Sequence, residues 1–313
     1  MKMRVGLPTA KMLWGCPSTG RNSLGIHPED SEPGAKPLDI IQNYGSNAEL
    51  TDLAIILGGC ASRHIKNFED RYCGHYMTTS VFGCFHKPTY ARDKGDKSYF
   101  LNKNRHVAIR PVLPLSVTFI ITPDATRTLN KNNPAGLGRP IQVCDFGEYP
   151  QDIVSDEIYK KLENAYLDKQ LKTTGKSYTF DTFGSSYIND DKPFTPQKHK
   201  EYLLDDKKYI RVIGRDKDFP SALSNGETVQ EGKPYWVEVK PVEWLKDKSG
   251  IWMAKKGLVA GIQFDNKPEY NGRFSETAVN SYLQKYFAEE LLPQKSNFLQ
   301  LSLKKIKSAI QSK

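Results

Sequence analysis

An α+β fold of short, mostly antiparallel strands with a few helices is what the sequence predicts, and three observations predict it. Brief runs of β-branched and aromatic residues recur between Gly, Pro and charged turns from Tyr209 to Phe264. Two stretches, after Ser155 and after Ser275, repeat apolar residues at helical spacing. An apolar fraction of 38%, with 16 Tyr, 14 Phe and 4 Trp, supplies ample core for a chain of 313 residues.

Residues 1–50 hold turn-forming stretches such as Pro17-Ser18-Thr19-Gly20 and Glu32-Pro33-Gly34 with little periodicity, so they read as a loop-rich N-terminal arm. Residues 51–130 read as a first module. Its Leu53-Ala54-Ile55-Ile56-Leu57 run before Gly58-Gly59 suits a buried strand and turn, and Val107 to Ile121 suits extended segments broken at Pro111 and Pro114. The turn formers from Asn130 to Gly136 mark the best domain boundary.

A second module, 141–290, follows. Ser155 is placed to cap a helix with Ile158, Leu162 and Tyr166 on one face. Strands are expected at Tyr209–Ile213, Tyr235–Val239, Val242–Leu245, Ile251–Ala254 and Leu258–Phe264, and Ser275 is expected to cap a helix that buries Val279, Tyr282, Leu283 and Tyr286. In residues 291–313, Leu299, Leu303, Ile306 and Ile310 line one side of a basic amphipathic helix and Lys304, Lys305 and Lys307 the other.

Charge is uneven along the chain. Residues 1–140 hold 18 Lys+Arg against 11 Asp+Glu, residues 141–290 hold 22 against 25, and residues 291–313 hold five Lys and no acid, giving +9 overall. Excess cation at the two ends suits nucleic acid, a phosphate-rich complex or an anionic membrane surface, and equally solubility. No run of 18 apolar residues exists to span a membrane. Met1 to Gly20 lacks an unbroken apolar segment ahead of a small-residue cleavage site, and the five cysteines form an odd count, so reduced thiols in the cytoplasm are the expectation.

Three Cys/His groupings fall within 27 residues: Cys60 with His64, Cys73 with His75, and Cys84 with His86. Residues two apart on a strand face one way, so Cys73, His75, Cys84 and His86 could offer four ligands to a tetrahedral zinc. Buried thiols beside exposed histidines are the simpler alternative. Thr173-Thr174-Gly175-Lys176-Ser177 has the end of a phosphate-binding loop, but Gln170 stands where its first glycine belongs and the stretch follows a helix, so it reads as a turn. No Gly-x-Ser-x-Gly elbow is present, and Asp190-Asp191 and Asp205-Asp206 sit in turn-like surroundings. An enzyme is the minority expectation.

Basic residues interleave with aromatics from Lys87, Tyr90 and Arg92 to Tyr99, Lys103 and Arg105, as in loops that stack bases and meet phosphates. Direct RNA or single-stranded DNA binding is one reading of that run. Trp236 and Trp244 are expected in the core, and Arg110 is expected to meet a carboxylate, with Glu148 and Glu243 as candidates.

Phe146-Gly147-Glu148-Tyr149-Pro150-Gln151, the stretch Tyr235 to Leu245, and Ala108-Ile109-Arg110-Pro111-Val112-Leu113 together resemble an uncharacterised domain family of Gram-positive gut bacteria and their mobile elements. In that family the Ile/Val-Arg-Pro motif closes the domain, whereas here it comes first, which suggests two related modules in rearranged order. The family's distant likeness to C-type-lectin-like and sulfatase-modifying-factor-like folds implies a scaffold that displays a binding surface. The expected function is therefore a non-enzymatic binding protein engaging a protein or nucleoprotein complex, for example a phage or mobile-element inhibitor with an anti-defence role or an accessory factor. Direct nucleic-acid binding and a zinc-dependent module are the alternatives.

Overall fold

The structure is a computed structural model that describes residues 4–9, 12, 38–44, 48–66, 72–74, 77, 107–113, 126–129, 140–181, 194–215, 221–265 and 273–292. Its body is an antiparallel sheet flanked by short helices. The strands are β1 (Ala61–Lys66), β2 (Tyr72–Gly74), β3 (Val112–Leu113), β4 (Thr126–Leu129), β5 (Ile141–Ile153), β6 (Lys172–Asp181), β7 (Pro196–Leu204), β8 (Lys207–Ile213), β9 (Pro234–Lys246) and β10 (Trp252–Ala254). β1 and β2 form a separate pair, and β3 to β10 join in the main sheet. The helices are α1 (Asp39–Tyr44), α2 (Asp52–Ile56), α3 (Asp156–Leu167), α4 (Ala278–Tyr282) and α5 (Ala288–Leu291), the last two joined by a π-helical turn, Leu283–Phe287.

β9 organises the sheet. One of its edges pairs with β5 from Lys246 to Val237, while its other edge is shared, Pro234–Glu238 with β8 and Trp244–Lys246 with β10. Pro241 lies in the gap between those two partners, where its missing N–H costs no ladder bond. The strand also changes parity there: Tyr235, Val237 and Val239 are buried before the proline, Val242 and Trp244 after it, and Pro241 itself is exposed.

β5 follows this break with two bulges. Asp145 to Glu148 on β5 faces Glu243 to Pro241 on β9, three steps of chain against two, and Pro150 to Asp152 faces Val239 to Glu238, two against one. Gly147 supplies the left-handed backbone of the first bulge with φ +68°. Gln151 is the extra residue of the second, and its side-chain amide donates to the carbonyls of Lys240 (3.0 Å) and Pro241 (2.8 Å). The Phe146–Gln151 and Tyr235–Leu245 stretches are therefore pairing partners. The third motif joins them, since Ile109 bridges to Val259, β3 pairs with β10, and Arg110, fully buried, donates from Nε to the Ala254 carbonyl at 2.8 Å. Of the two candidate partners for Arg110, Glu148 pairs with Lys208 and Glu243 with Lys255.

One buried cluster runs from Val5 and Leu7 through α2, β3, β5, β9 and β10 to Leu291, so the segments read as arm, first module and second module contribute to the same core. The strands that flank the 130–139 stretch, β4 and β5, pair with each other. A smaller cluster holds α3 against the opposite side of β8 and β9 through Leu162, Tyr209 and Trp236, with Ile158 and Tyr166 beside them. Ser155 caps α3 as predicted, its Oγ accepting from Ile158 N at 3.5 Å. Trp244, in the large cluster, donates its Nε1 to the Phe146 carbonyl at 2.8 Å.

Five expectations are corrected. Leu53–Leu57 is mostly the helix α2, because Thr51 caps it by accepting from Ala54 N at 3.2 Å, ahead of Asp52 in the first turn. The last helix is capped by Thr277, accepting from Asn280 N, and Ser275 lies in a 3-10 turn before it. Tyr235–Val239 and Val242–Leu245 are one strand, and Leu258–Phe264 is a buried segment with an isolated bridge from Val259 to Ile109. Thr173–Ser177 lies within β6, at a bulge where Gly175 has φ +84°. The Asp205-Asp206 pair forms the two-residue turn between β7 and β8, with φ of 49° and 60°, the geometry of a type I′ hairpin. No helix among the described residues is long and apolar enough to cross a membrane.

A Cβ on Gly147 would lie 2.6 Å from the Leu291 carbonyl oxygen, so this glycine lets the end of α5 sit against the β5 bulge. Gly147→Ala is expected to cost about 2 kcal/mol or more through left-handed strain plus the clash. Gly226, φ +85° with nothing within 4 Å of an added Cβ, carries the strain alone, and Gly226→Ala is expected to cost about 1 kcal/mol. Urea midpoints of the two variants check the difference.

Candidate functional site

Ionisable and hydroxyl side chains gather where β5, β6 and β7 meet α4, the π-helical turn and α5. Alternation along β7 turns His199 and Glu201 inward and leaves Lys198 and Lys200 exposed. Directly across from His199, Tyr178 on β6 is also buried.

Glu201 accepts from the Tyr178 hydroxyl on one oxygen and from the Thr174 hydroxyl on the other, both at 2.7 Å. Thr174 reaches it because the β6 bulge sets three residues, Thr174 to Lys176, between the Thr173 and Ser177 pairings. Burial first, then the Glu201 charge, pushes the Tyr178 phenol far above its ordinary range, so it stays a donor. Lys176 donates Nζ to the Leu292 carbonyl at 3.2 Å; burial lowers its pKa, opposed by the nearby Glu201 and Glu148 charges. Glu148 in turn pairs with Lys208.

A second set continues from the first. The Tyr149 and Tyr282 hydroxyls are 3.3 Å apart, and Tyr282 donates to the Thr179 carbonyl at 3.0 Å. The Thr179 hydroxyl and backbone N–H both donate to Glu290. Desolvation outweighs these bonds and raises the Glu290 carboxyl to about 7, and its buried Oε2 has no hydrogen-bond partner among the described residues. Tyr149 packs edge-on to Tyr178 and Phe180, at 5.4 and 6.5 Å between ring centroids.

His199 sits behind it. Its Nδ1 is 3.0 Å from the Arg211 carbonyl and must carry the proton to donate there, which leaves Nε2 as a buried acceptor without a partner among the described residues. Burial pushes its pKa down to about 4. On the opposite face of the sheet, Glu163 takes two bonds from Arg211 (2.8 and 3.1 Å) and one from Trp236 Nε1 (2.7 Å). Arg211 also lies 4.9 Å over the Tyr166 ring, so this second polar group fastens α3. Asp52 fastens α2, accepting from Ile153 N, Ser224 N and the Ser224 hydroxyl at 2.9, 2.7 and 2.6 Å.

Lys87, Tyr90, Arg92, Tyr99, Lys103, Arg105, Lys304, Lys305 and Lys307 fall outside the described residues, as do His75, Cys84, His86 and Asp190-Asp191. Cys73 is on β2, where the backbone alone is described. Among the described residues no group of three or more His, Cys, Asp or Glu side chains is placed to hold a metal ion. Cys144 is buried on β5, opposite Trp244.

Compared with known proteins, the chain matches no protein-family model, no curated protein and no solved structure.

Glu290 and His199 pull stability in opposite directions with pH. A carboxyl raised from 4.5 to about 7 keeps its proton in the fold, so its contribution falls as pH rises through that window. A histidine lowered from 6.5 to about 4 resists protonation, so its contribution falls as pH drops through that window. Each is worth about 3 kcal/mol across its range, and the two offset one another between about pH 4.5 and 6.5. Over that interval Glu290→Gln is expected to leave a stability that climbs with pH and His199→Gln one that declines with pH, both read from urea unfolding.

Proposed function

We propose that the protein is a non-catalytic binding protein whose basic segments engage an anionic macromolecular partner, a protein or nucleoprotein complex. The observation that carries this reading is the partition of charge: residues 141–290 hold 22 Lys+Arg against 25 Asp+Glu, while residues 1–140 hold 18 against 11 and residues 291–313 hold five Lys and no acid. Such an excess of cation in these two stretches favours contact with an anionic surface there. What further supports it is the use to which buried polar groups are put. Asp52, Glu163 and Glu201 each spend both carboxylate oxygens on bonds that fasten one element to another. Such groups hold a platform rigid.

The test is affinity purification of the full chain from its native host, comparing the wild type with a Lys304→Ala, Lys305→Ala, Lys307→Ala variant. A partner is expected to co-purify at low salt and to be released by high salt, and the triple variant is expected to retain about ten-fold less of it. Recovery of the same partner by both proteins at every salt concentration would contradict the proposal. Nucleic acid that stays bound after partner proteins are digested would instead favour direct RNA or single-stranded DNA binding through Tyr90, Tyr99 and Arg105.

A further inference from the structure

β6 pairs with β7 along one edge, and at Thr179 its other edge is closed by side chains from the last helical segment. Glu290 takes the Thr179 N–H and hydroxyl, and Tyr282 donates to the Thr179 carbonyl, so a carboxyl and a phenol stand where a neighbouring strand would. A turn away, Lys176 of the same strand holds the Leu292 carbonyl. Between Tyr282 and Glu290 runs the π-helical turn Leu283–Phe287, a rare form that is frequent at functional sites.

We propose that Glu290 is a proton-operated latch, holding the 283–292 segment on the edge of β6 while protonated and loosening that hold when its carboxyl ionises. The geometry behind it is the buried Oε2, which has no hydrogen-bond partner among the described residues: a neutral carboxyl tolerates that position, whereas a carboxylate there lacks the solvation it recovers once the segment lifts. The groups that face Glu290 are Lys176, Tyr178 and Thr179 of β6, Lys198 of β7, Tyr149 of β5 and Tyr282 of α4. Lys176 and Lys198 favour the carboxylate, but the three phenols hold their protons and provide no charge to balance it. The carboxyl of about 7 that results places the transition near neutrality. Opening uncovers the N–H and C=O of Thr179, the two groups through which an edge strand accepts another chain.

Amide hydrogen exchange on the full chain tests this, followed from pH 5.5 to 8.5 and corrected for the intrinsic exchange rate. For a carboxyl of about 7 closed and 4.5 open, the opening constant of residues 283–292 is expected to rise about thirty-fold over that range in the wild type. In Glu290→Gln it is expected to stay within about two-fold. A wild-type constant that does not change, or a variant that changes as much as the wild type, would overturn the latch. Should the variant fold poorly, the carboxyl carbon resonance of Glu290 in the wild type decides the matter: a midpoint of 6 or above supports the latch, and a lower one removes it.

Discussion

The pairing of β5 with β9 around Pro241 is the constraint on which the rest of the structure depends. A strand of 13 residues that serves three partners must pass from one neighbour, β8, to another, β10, and in the passage its own carbonyls lose their ladder. Gln151 fills that break by donating to the two carbonyls left at Lys240 and Pro241. A half-buried carbonyl left without a donor costs about 1 kcal/mol or more, so this one side chain keeps the break satisfied. The bulge that aims Gln151 inward and the bulge at Gly147 then set where α2 and α5 dock, the first through Asp52 on Ile153 and the second through the close approach of Leu291.

From this spine outward, polar groups act as fasteners. Three of the helices are tied to the sheet by a carboxyl group: α2 by Asp52, α3 by Glu163 and α5 by Glu290. The three differ in what balances the charge. Glu163 has the Arg211 guanidinium and sits below its ordinary pKa, Asp52 has three donors and is still raised by burial, and Glu290 has the donors of Thr179 with its second oxygen unpartnered among the described residues. A carboxylate is a firm tie only where its whole hydrogen-bonding capacity is met, which is why the last helix is the one whose attachment responds to protons.

Much of the fold was legible in the sequence because its signals were local. Ser155 ahead of Ile158, Leu162 and Tyr166 announced α3, and the β-branched and aromatic runs at Tyr209 and Tyr235 announced β8 and β9. Leu53–Leu57 misled because a short apolar run fits a buried strand or a buried helix alike; the deciding feature was the cap at Thr51, outside the run. β6 and β7 escaped notice for another reason: their inward positions include Glu201 and His199, polar residues that mask a period-2 pattern until Tyr178 and Arg211 are known to meet them. The same holds for the cluster around Lys176 and Glu290, 114 positions apart, since no local pattern reports which residues will bury a carboxyl. The motifs at Phe146–Gln151 and Tyr235–Leu245 stood out in the sequence, and their adjacency was visible only once the register was in hand.

The most direct test of this account is equilibrium urea unfolding of Gln151→Met, a variant that keeps the volume of the side chain and removes its donors. Loss of both bonds at the break is expected to lower stability by about 2 to 4 kcal/mol in a single cooperative transition, because β8 and β10 depend on the same strand. A stability within about 0.5 kcal/mol of the wild type, or separate unfolding of the β6–β8 and β3–β10 sides, would contradict the claim that β9 and its proline break hold the sheet together.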